Sequence, residues 1–113
     1  MSAFLKIDAS GEAELGQPAE GRLISGAPKF RTWNAEEAAG GLYAGIWEAT
    51  PGKWRIEYDE WEFCHILSGV SVLVEDGGEA RTVREGDAFV LRPGFKGTWE
   101  VLETTRKEYV IKL

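Results

Sequence analysis

Glu62, Cys64 and His65 place a carboxylate, a thiol and an imidazole within the tetrapeptide Glu62-Phe63-Cys64-His65, near the middle of a 113-residue chain. Each could do chemistry under a stated condition. A carboxyl group held in apolar surroundings must find donors or take up a proton, and a raised pKa makes a general acid or base. A thiol becomes a nucleophile when a base or a positive neighbour lowers its pKa, and Arg55 or Lys96 could supply that charge. On a strand, side chains alternate between faces. Glu62, Cys64 and Ile66 then share one face, and Trp61, Phe63, His65 and Leu67 share the other. His65 therefore points away from both potential partners. Blander roles stand beside these: an inert buried Cys64, a packed or interface His65, and a Glu62 that pins the fold through Arg55 or Arg92.

His65 is the only histidine and Cys64 the only cysteine. A three-histidine metal centre, an intramolecular disulfide and zinc-finger spacings are thereby excluded. Glu62 with Cys64 and Glu57 would mix hard carboxylates with a soft thiolate, which prefer different metals. No metal and no cofactor are expected, beyond a divalent ion held weakly.

The elements that position these residues read as short strands. Apolar runs at Leu42–Ala49, Trp54–Tyr58, 63–75, Ala80–Val83, Ala88–Leu91, Thr98–Leu102 and Lys107–Ile111 are separated by turn residues. The breaks include Thr50-Pro51-Gly52-Lys53, Asp76-Gly77-Gly78, Glu85-Gly86-Asp87 and Arg92-Pro93-Gly94, where glycine supplies positive φ and proline fixes its own. Val70, Val72 and Val74 alternate with Ser71, Leu73 and Glu75, the period of a strand with one buried face. Residues 8–21 are small, acidic and punctuated by Gly11, Gly16 and Pro18, so residues 1–21 read as an N-terminal arm or loop and residues 22–113 as the folded domain. Asn34-Ala35-Glu36-Glu37-Ala38-Ala39 has the chemistry of a capped helical turn, ended by Gly40-Gly41. Seven or so strands with almost no helix imply a sandwich or barrel.

Thirteen basic and nineteen acidic residues leave a net charge of −6. That balance disfavours nucleic acid and anionic membrane as partners. Neither a secretory signal nor a stretch of membrane-spanning length is visible, so a cytoplasmic protein is expected.

Two segments resemble the paired motifs of the cupin superfamily: Glu62-Phe63-Cys64-His65-Ile66-Leu67-Ser68-Gly69 and Gly86-Asp87-Ala88-Phe89-Val90-Leu91-Arg92-Pro93-Gly94. Within that superfamily the chain is similar to the small single-domain group related to the cupin domain of ureidoglycine aminohydrolase. The likeness rests on Trp47, Pro51-Gly52-Lys53-Trp54, Gly94-Phe95-Lys96-Gly97-Thr98-Trp99-Glu100 and the closing Arg106-Lys107-Glu108-Tyr109. It implies an all-β, double-stranded β-helix, the jelly-roll barrel. In metal-binding cupins a glutamate stands where Glu62 falls, but the histidine positions fall on Arg55 and Glu57, or on Ile56 and Tyr58 with the shorter spacing. The last falls on Gly97. The ureidoglycine reaction depends on a metal and does not carry over.

The expected site is instead a ligand pocket in the barrel, formed from Trp54, Glu57, Tyr58, Glu62, Cys64, Phe89, Arg92, Lys96 and Trp99, with Glu62 as the candidate acid/base. Five tryptophans in so short a chain favour a pocket for a small polar or aromatic metabolite. The alternatives are a small aminohydrolase- or isomerase-like enzyme using Glu62, and a structural subunit with a filled barrel. The outward face of Trp61, Phe63 and Leu67 suggests a homodimer.

Overall fold

A computed structural model describes residues 2–113. It consists of nine strands: β1 (Glu14–Gly16), β2 (Leu23–Gly26), β3 (Phe30–Ala38), β4 (Leu42–Ala49), β5 (Gly52–Glu57), β6 (Trp61–Glu75), β7 (Ala80–Arg84), β8 (Ala88–Leu91) and β9 (Lys96–Lys112). No helix occurs among the described residues, so none could cross a membrane.

The two long strands organise everything else. β6 and β9 pair antiparallel from Trp61↔Lys112 to Glu75↔Gly97. The first half of β9 also carries β5, and its second half carries β4. In the same way β6 carries β8 on its first half and β7 on its second. One half of the molecule is thus ordered β1-β3-β4-β9-β6-β8 and the other β2-β5-β9-β6-β7. The sheet curls so that the two halves face each other. Phe30 of β3 packs on Trp54 of β5 with ring centroids 5.0 Å apart, and Trp47 of β4 meets Trp99 of β9 at 5.5 Å. Ile56, Ile66, Leu73, Val83, Leu91 and Val101 complete the core between them. The jelly-roll barrel expected from the motifs is the fold observed.

Three details depart from the sequence reading, each for a physical reason. The Asn34 segment is strand, not helix: β3 hydrogen-bonds along β4 from Phe30↔Ala49 to Ala38↔Leu42. Pairing that buries Trp33 outweighs the local capping preference. Gly40 and Gly41, with φ of 82° and 73°, close the hairpin that this pairing needs. Secondly, the two strands expected at Thr98–Leu102 and Lys107–Ile111 are one strand, β9. Thirdly, the buried side of the second half of β6 holds Ser71 and Leu73, while Val72 and Val74 are only half-buried. Register shifts between Ile66 and Ser71 set a step of five residues in β6 against six in β9, and this odd step carries the inward set Glu62, Cys64, Ile66 on to Ser71, Leu73. Ser71 tolerates burial because its hydroxyl accepts from Trp99 Nε1 at 3.1 Å and shares a hydrogen bond with Thr105 Oγ1 at 2.6 Å.

The N-terminal arm is largely exposed, but its Glu14–Gly16 stretch joins the sheet as β1, with Glu14 opposite Thr32. The outer face of β6 at Trp61, Phe63 and Leu67 is half-buried within the single chain. His65 lies on that face as expected, 2.9 Å from Glu108 Oε1.

Candidate functional site

The inner faces of β3, β4, β5, β6 and β9 enclose a cavity of about 510 Å³. Its walls are aromatic: Phe30, Trp47, Trp54, Tyr58, Trp99 and Tyr109. Carboxylates line it as well, namely Glu14, Glu37, Glu60 and Glu62, and the one basic residue of its lining is Lys107. Alternation along β3 carries Phe30, Thr32 and Asn34 to the inside. A bulge between Asn34 and Glu36 then shifts the parity, so Glu37 and not Glu36 faces the cavity. Gly45, opposite Tyr109, leaves room for that ring, whose hydroxyl donates to Asn34 Oδ1 at 2.7 Å. A Cβ at position 45 would stand 2.8 Å from the Tyr109 oxygen and 2.2 Å from the Trp33 carbonyl oxygen.

At the base of the cavity lies a buried ion pair. Lys107 Nζ is 3.0 Å from Glu62 Oε2, and both side chains are almost wholly withdrawn from solvent. The other carboxylate oxygen accepts the Tyr58 hydroxyl at 2.5 Å. The ammonium also lies 4.5 Å from the ring centroids of both Trp47 and Trp99, so two π faces share its charge. Desolvating two charges is repaid only when the remaining donors and acceptors are met. Here they are: among the described residues no buried side-chain nitrogen or oxygen lacks a partner.

The protonation pattern follows from burial. Burial pushes the Cys64 thiol up to about 12, and Glu62 reinforces it while Lys107 opposes it. Burial likewise lifts the Tyr58 phenol well above its usual range, with Glu62 beside it acting in the same direction. Tyr109 is raised to about 12, again by burial first. Burial pulls the Lys107 ammonium down, but its anionic neighbours more than offset this and its pKa ends above the usual lysine value. Glu62 is the neighbour that matters at neutral pH, because a thiol held at about 12 is uncharged there. The site therefore rests as a charged lysine, a doubly bonded carboxylate, and a neutral phenol and thiol. It contains neither a thiolate nor an unengaged carboxylate oxygen.

A pH dependence follows. Cys64, Tyr58, Tyr109 and Lys107 all have folded-state values above their ordinary ones. Each contributes stability that is complete below its unfolded value and lost as pH rises through the folded one. The urea midpoint should thus fall steadily from about pH 9, where a free thiol titrates, towards pH 12. A midpoint that stays level across that interval would contradict the buried, neutral thiol and the paired lysine.

Of the residues expected in the pocket, the structure brings Trp54, Tyr58, Glu62 and Trp99 to the cavity. Cys64 lies buried beside the ion pair and does not line it. Glu57 is on the outer face of β5, bridged to Arg22 at 3.3 Å, and Lys96 is exposed. Phe89 and Arg92 line a separate cavity of about 520 Å³ between β7, β8 and the 92–95 turn. The cation paired with Glu62 is neither Arg55, which is bound to Asp76, nor Arg92. It is Lys107, a residue the sequence reading passed over. Its signal was its parity with Tyr109 and Ile111 on one face of the last strand. Phe30, Trp47 and Tyr109 were also missed, since they enter the cavity from strands that flank the motifs.

A cupin metal does not fit these residues. Arg55 faces outward to Asp76 and Glu57 to Arg22, so the inward pair is Ile56 and Tyr58, an aliphatic side chain and a phenol already bound to Glu62. At Gly97 any side chain would meet the Val74 carbonyl, 2.0 Å from an ideal Cβ. Both Glu62 oxygens are engaged, and the ammonium 3.0 Å away would repel a second cation. No group of three or more His, Cys, Asp or Glu side chains among the described residues is arranged to hold an ion.

The sequence matches the model of the EutQ-like cupin domain family over residues 36–109. The chain belongs to that family. Among curated proteins, none matches this cupin significantly in sequence. Among solved structures it is similar to a protein of unknown function from Pseudomonas syringae pv. tomato, assigned to the DUF861 family. The two share 26% identity at a TM-score of 0.84, over 94% of this chain and 46% of that one. The cupin thus spans less than half the length of that relative. The Clostridium difficile EutQ protein is 18% identical at a TM-score of 0.67, covering 86% of this chain and 79% of its own. A DUF861 protein from Thermotoga maritima is 22% identical at 0.55, covering 87% and 97% respectively. The last two establish the shared fold and nothing more.

Proposed function

We propose that this cupin is a small-molecule-binding protein whose barrel cavity is floored by the Lys107–Glu62 pair, with Glu62 at the position where the cupin resemblance places a metal ligand. The observation that carries the reading is a cavity with aromatic walls over a fully satisfied polar base. Its volume of about 510 Å³ lies within the range of metabolite sites. The enzyme reading, an aminohydrolase- or isomerase-like use of Glu62, needs a carboxylate free to exchange a proton. Tyr58 and Lys107 occupy both of its oxygens. A filled barrel, the mark of a purely structural subunit, is not what the cavity offers.

The test fills the space. Thr32 lines the cavity on β3 and is only half-buried, so Thr32→Trp should occupy the cavity without opening the core. A metabolite library screened by thermal shift and tryptophan fluorescence should yield ligands that bind saturably to the wild type. Their affinity should drop at least ten-fold in Thr32→Trp, whose unfolding temperature stays within a few degrees of wild type. Ligands that bind the filled variant equally well would place the site elsewhere.

A further inference from the structure

We infer that the ligand of this cavity is a small cationic amine, an alkyl- or arylammonium compound whose charged end lies against Phe30 and Trp54, wall rings that the Lys107 ammonium does not already occupy. The inference rests on the binding reading above and adds the sign of the ligand's charge.

Three observations carry it. First, the cavity's charges do not balance. Lys107 is matched by Glu62 at 3.0 Å, which leaves Glu14, Glu37 and Glu60. None of these three has a salt-bridge partner among the described residues. An entering anion meets three carboxylates and a lysine already spoken for. An entering cation meets three carboxylates and gains from each.

Secondly, the walls suit an ammonium. The faces of Phe30, Trp47 and Trp54 form a continuous cluster, with centroids 5.0 to 6.1 Å apart. The negative face of an aromatic ring attracts a cation, most strongly for tryptophan. The cavity already demonstrates this with its own residue, since the Lys107 ammonium lies 4.5 Å from each of two indole rings. Thirdly, the bulge in β3 is what turns Glu37, an exposed residue, to the open edge of the cavity. A regular strand would keep Glu36 in step with Asn34 and turn the Glu37 carboxylate to the opposite face of the sheet.

The test uses three probes of nearly equal shape and different charge: choline, the neutral 3,3-dimethyl-1-butanol, and the anionic 3,3-dimethylbutanoate. Binding is followed by tryptophan fluorescence and by the indole N–H resonances of Trp54 and Trp99. Choline should bind at least ten-fold tighter than the alcohol, and the anion should not saturate. Choline affinity should fall several-fold in Glu37→Gln/Glu60→Gln, two substitutions outside the buried pair, while the alcohol's affinity is unchanged. If the alcohol or the anion binds as tightly as choline, the charge assignment is overturned and the binding cavity survives. If none of the three binds, the amine assignment is likewise overturned, and the Thr32→Trp comparison decides the binding reading separately.

Discussion

Replacing Lys107 by methionine is expected to cost about 3–5 kcal/mol of stability at neutral pH, because removing one partner of a buried ion pair leaves the other charge uncompensated. Methionine retains most of the stem that packs between Trp47 and Trp99 and deletes the charge, so little of the loss should come from packing. Glu62→Gln in the Lys107→Met background should restore at least half of the loss, because the amide oxygen still accepts from Tyr58 and no charge remains to be desolvated. Urea denaturation of the four proteins forms a double-mutant cycle, and a strong coupling is the expected result. A single variant within about 1 kcal/mol of wild type would mean that water or another cation reaches Glu62, contrary to its burial.

The same pair explains how much of the site could be read in advance. Glu62 was legible because strand parity and the motif both point it inward, and the structure agrees. Trp54 and Trp99 stand directly opposite each other across β5 and β9 and both reach the core. Lys107 was not legible. A lysine is ordinarily taken for a surface residue, and only the pairing of β9 with β4 reveals that Trp47 faces it across the strands. Sequence carries the period of a strand but not its neighbours, and a cavity is made of neighbours. The fold itself was readable for the converse reason. Turn residues such as Asp76-Gly77-Gly78 act locally, and the β6–β7 hairpin forms where they stand. The reading erred where long-range pairing outvoted local chemistry, as at Asn34, and it could not foresee the register shifts that set which side chains face inward near Glu37 and Ser71. A bulge has no periodic signature; it shows only once two strands are laid side by side.

Gly69→Ala tests that last point and should be among the most damaging single substitutions in the chain. Gly69 adopts φ of +89°, a region that residues with a side chain rarely enter. An ideal Cβ there would sit 2.1 Å from the carbonyl oxygen of Thr104 on the partner strand. Neither problem can be relieved by a side-chain rotation, because both lie in the backbone of β6 and β9. The expected loss is about 3–5 kcal/mol, combining a strained backbone with a steric clash. The position matters beyond its own strain. The irregular stretch from Ile66 to Ser71 is where β6 leaves one half of the barrel for the other. Its odd step of five residues, set against six in β9, lets Glu62 and Cys64 face inward on one side of the bend and Ser71 and Leu73 on the other. A strand forced to run regularly through this point would have to turn one of these sets outward. Either Glu62 would leave Lys107, or Ser71 would leave Trp99 and Thr105. Gly69→Ala should therefore broaden or shift the indole resonances of Trp99 even in the fraction that remains folded. An unperturbed Trp99 signal, with stability within about 1 kcal/mol of wild type, would show that the bend is held by pairing on either side and not by this residue.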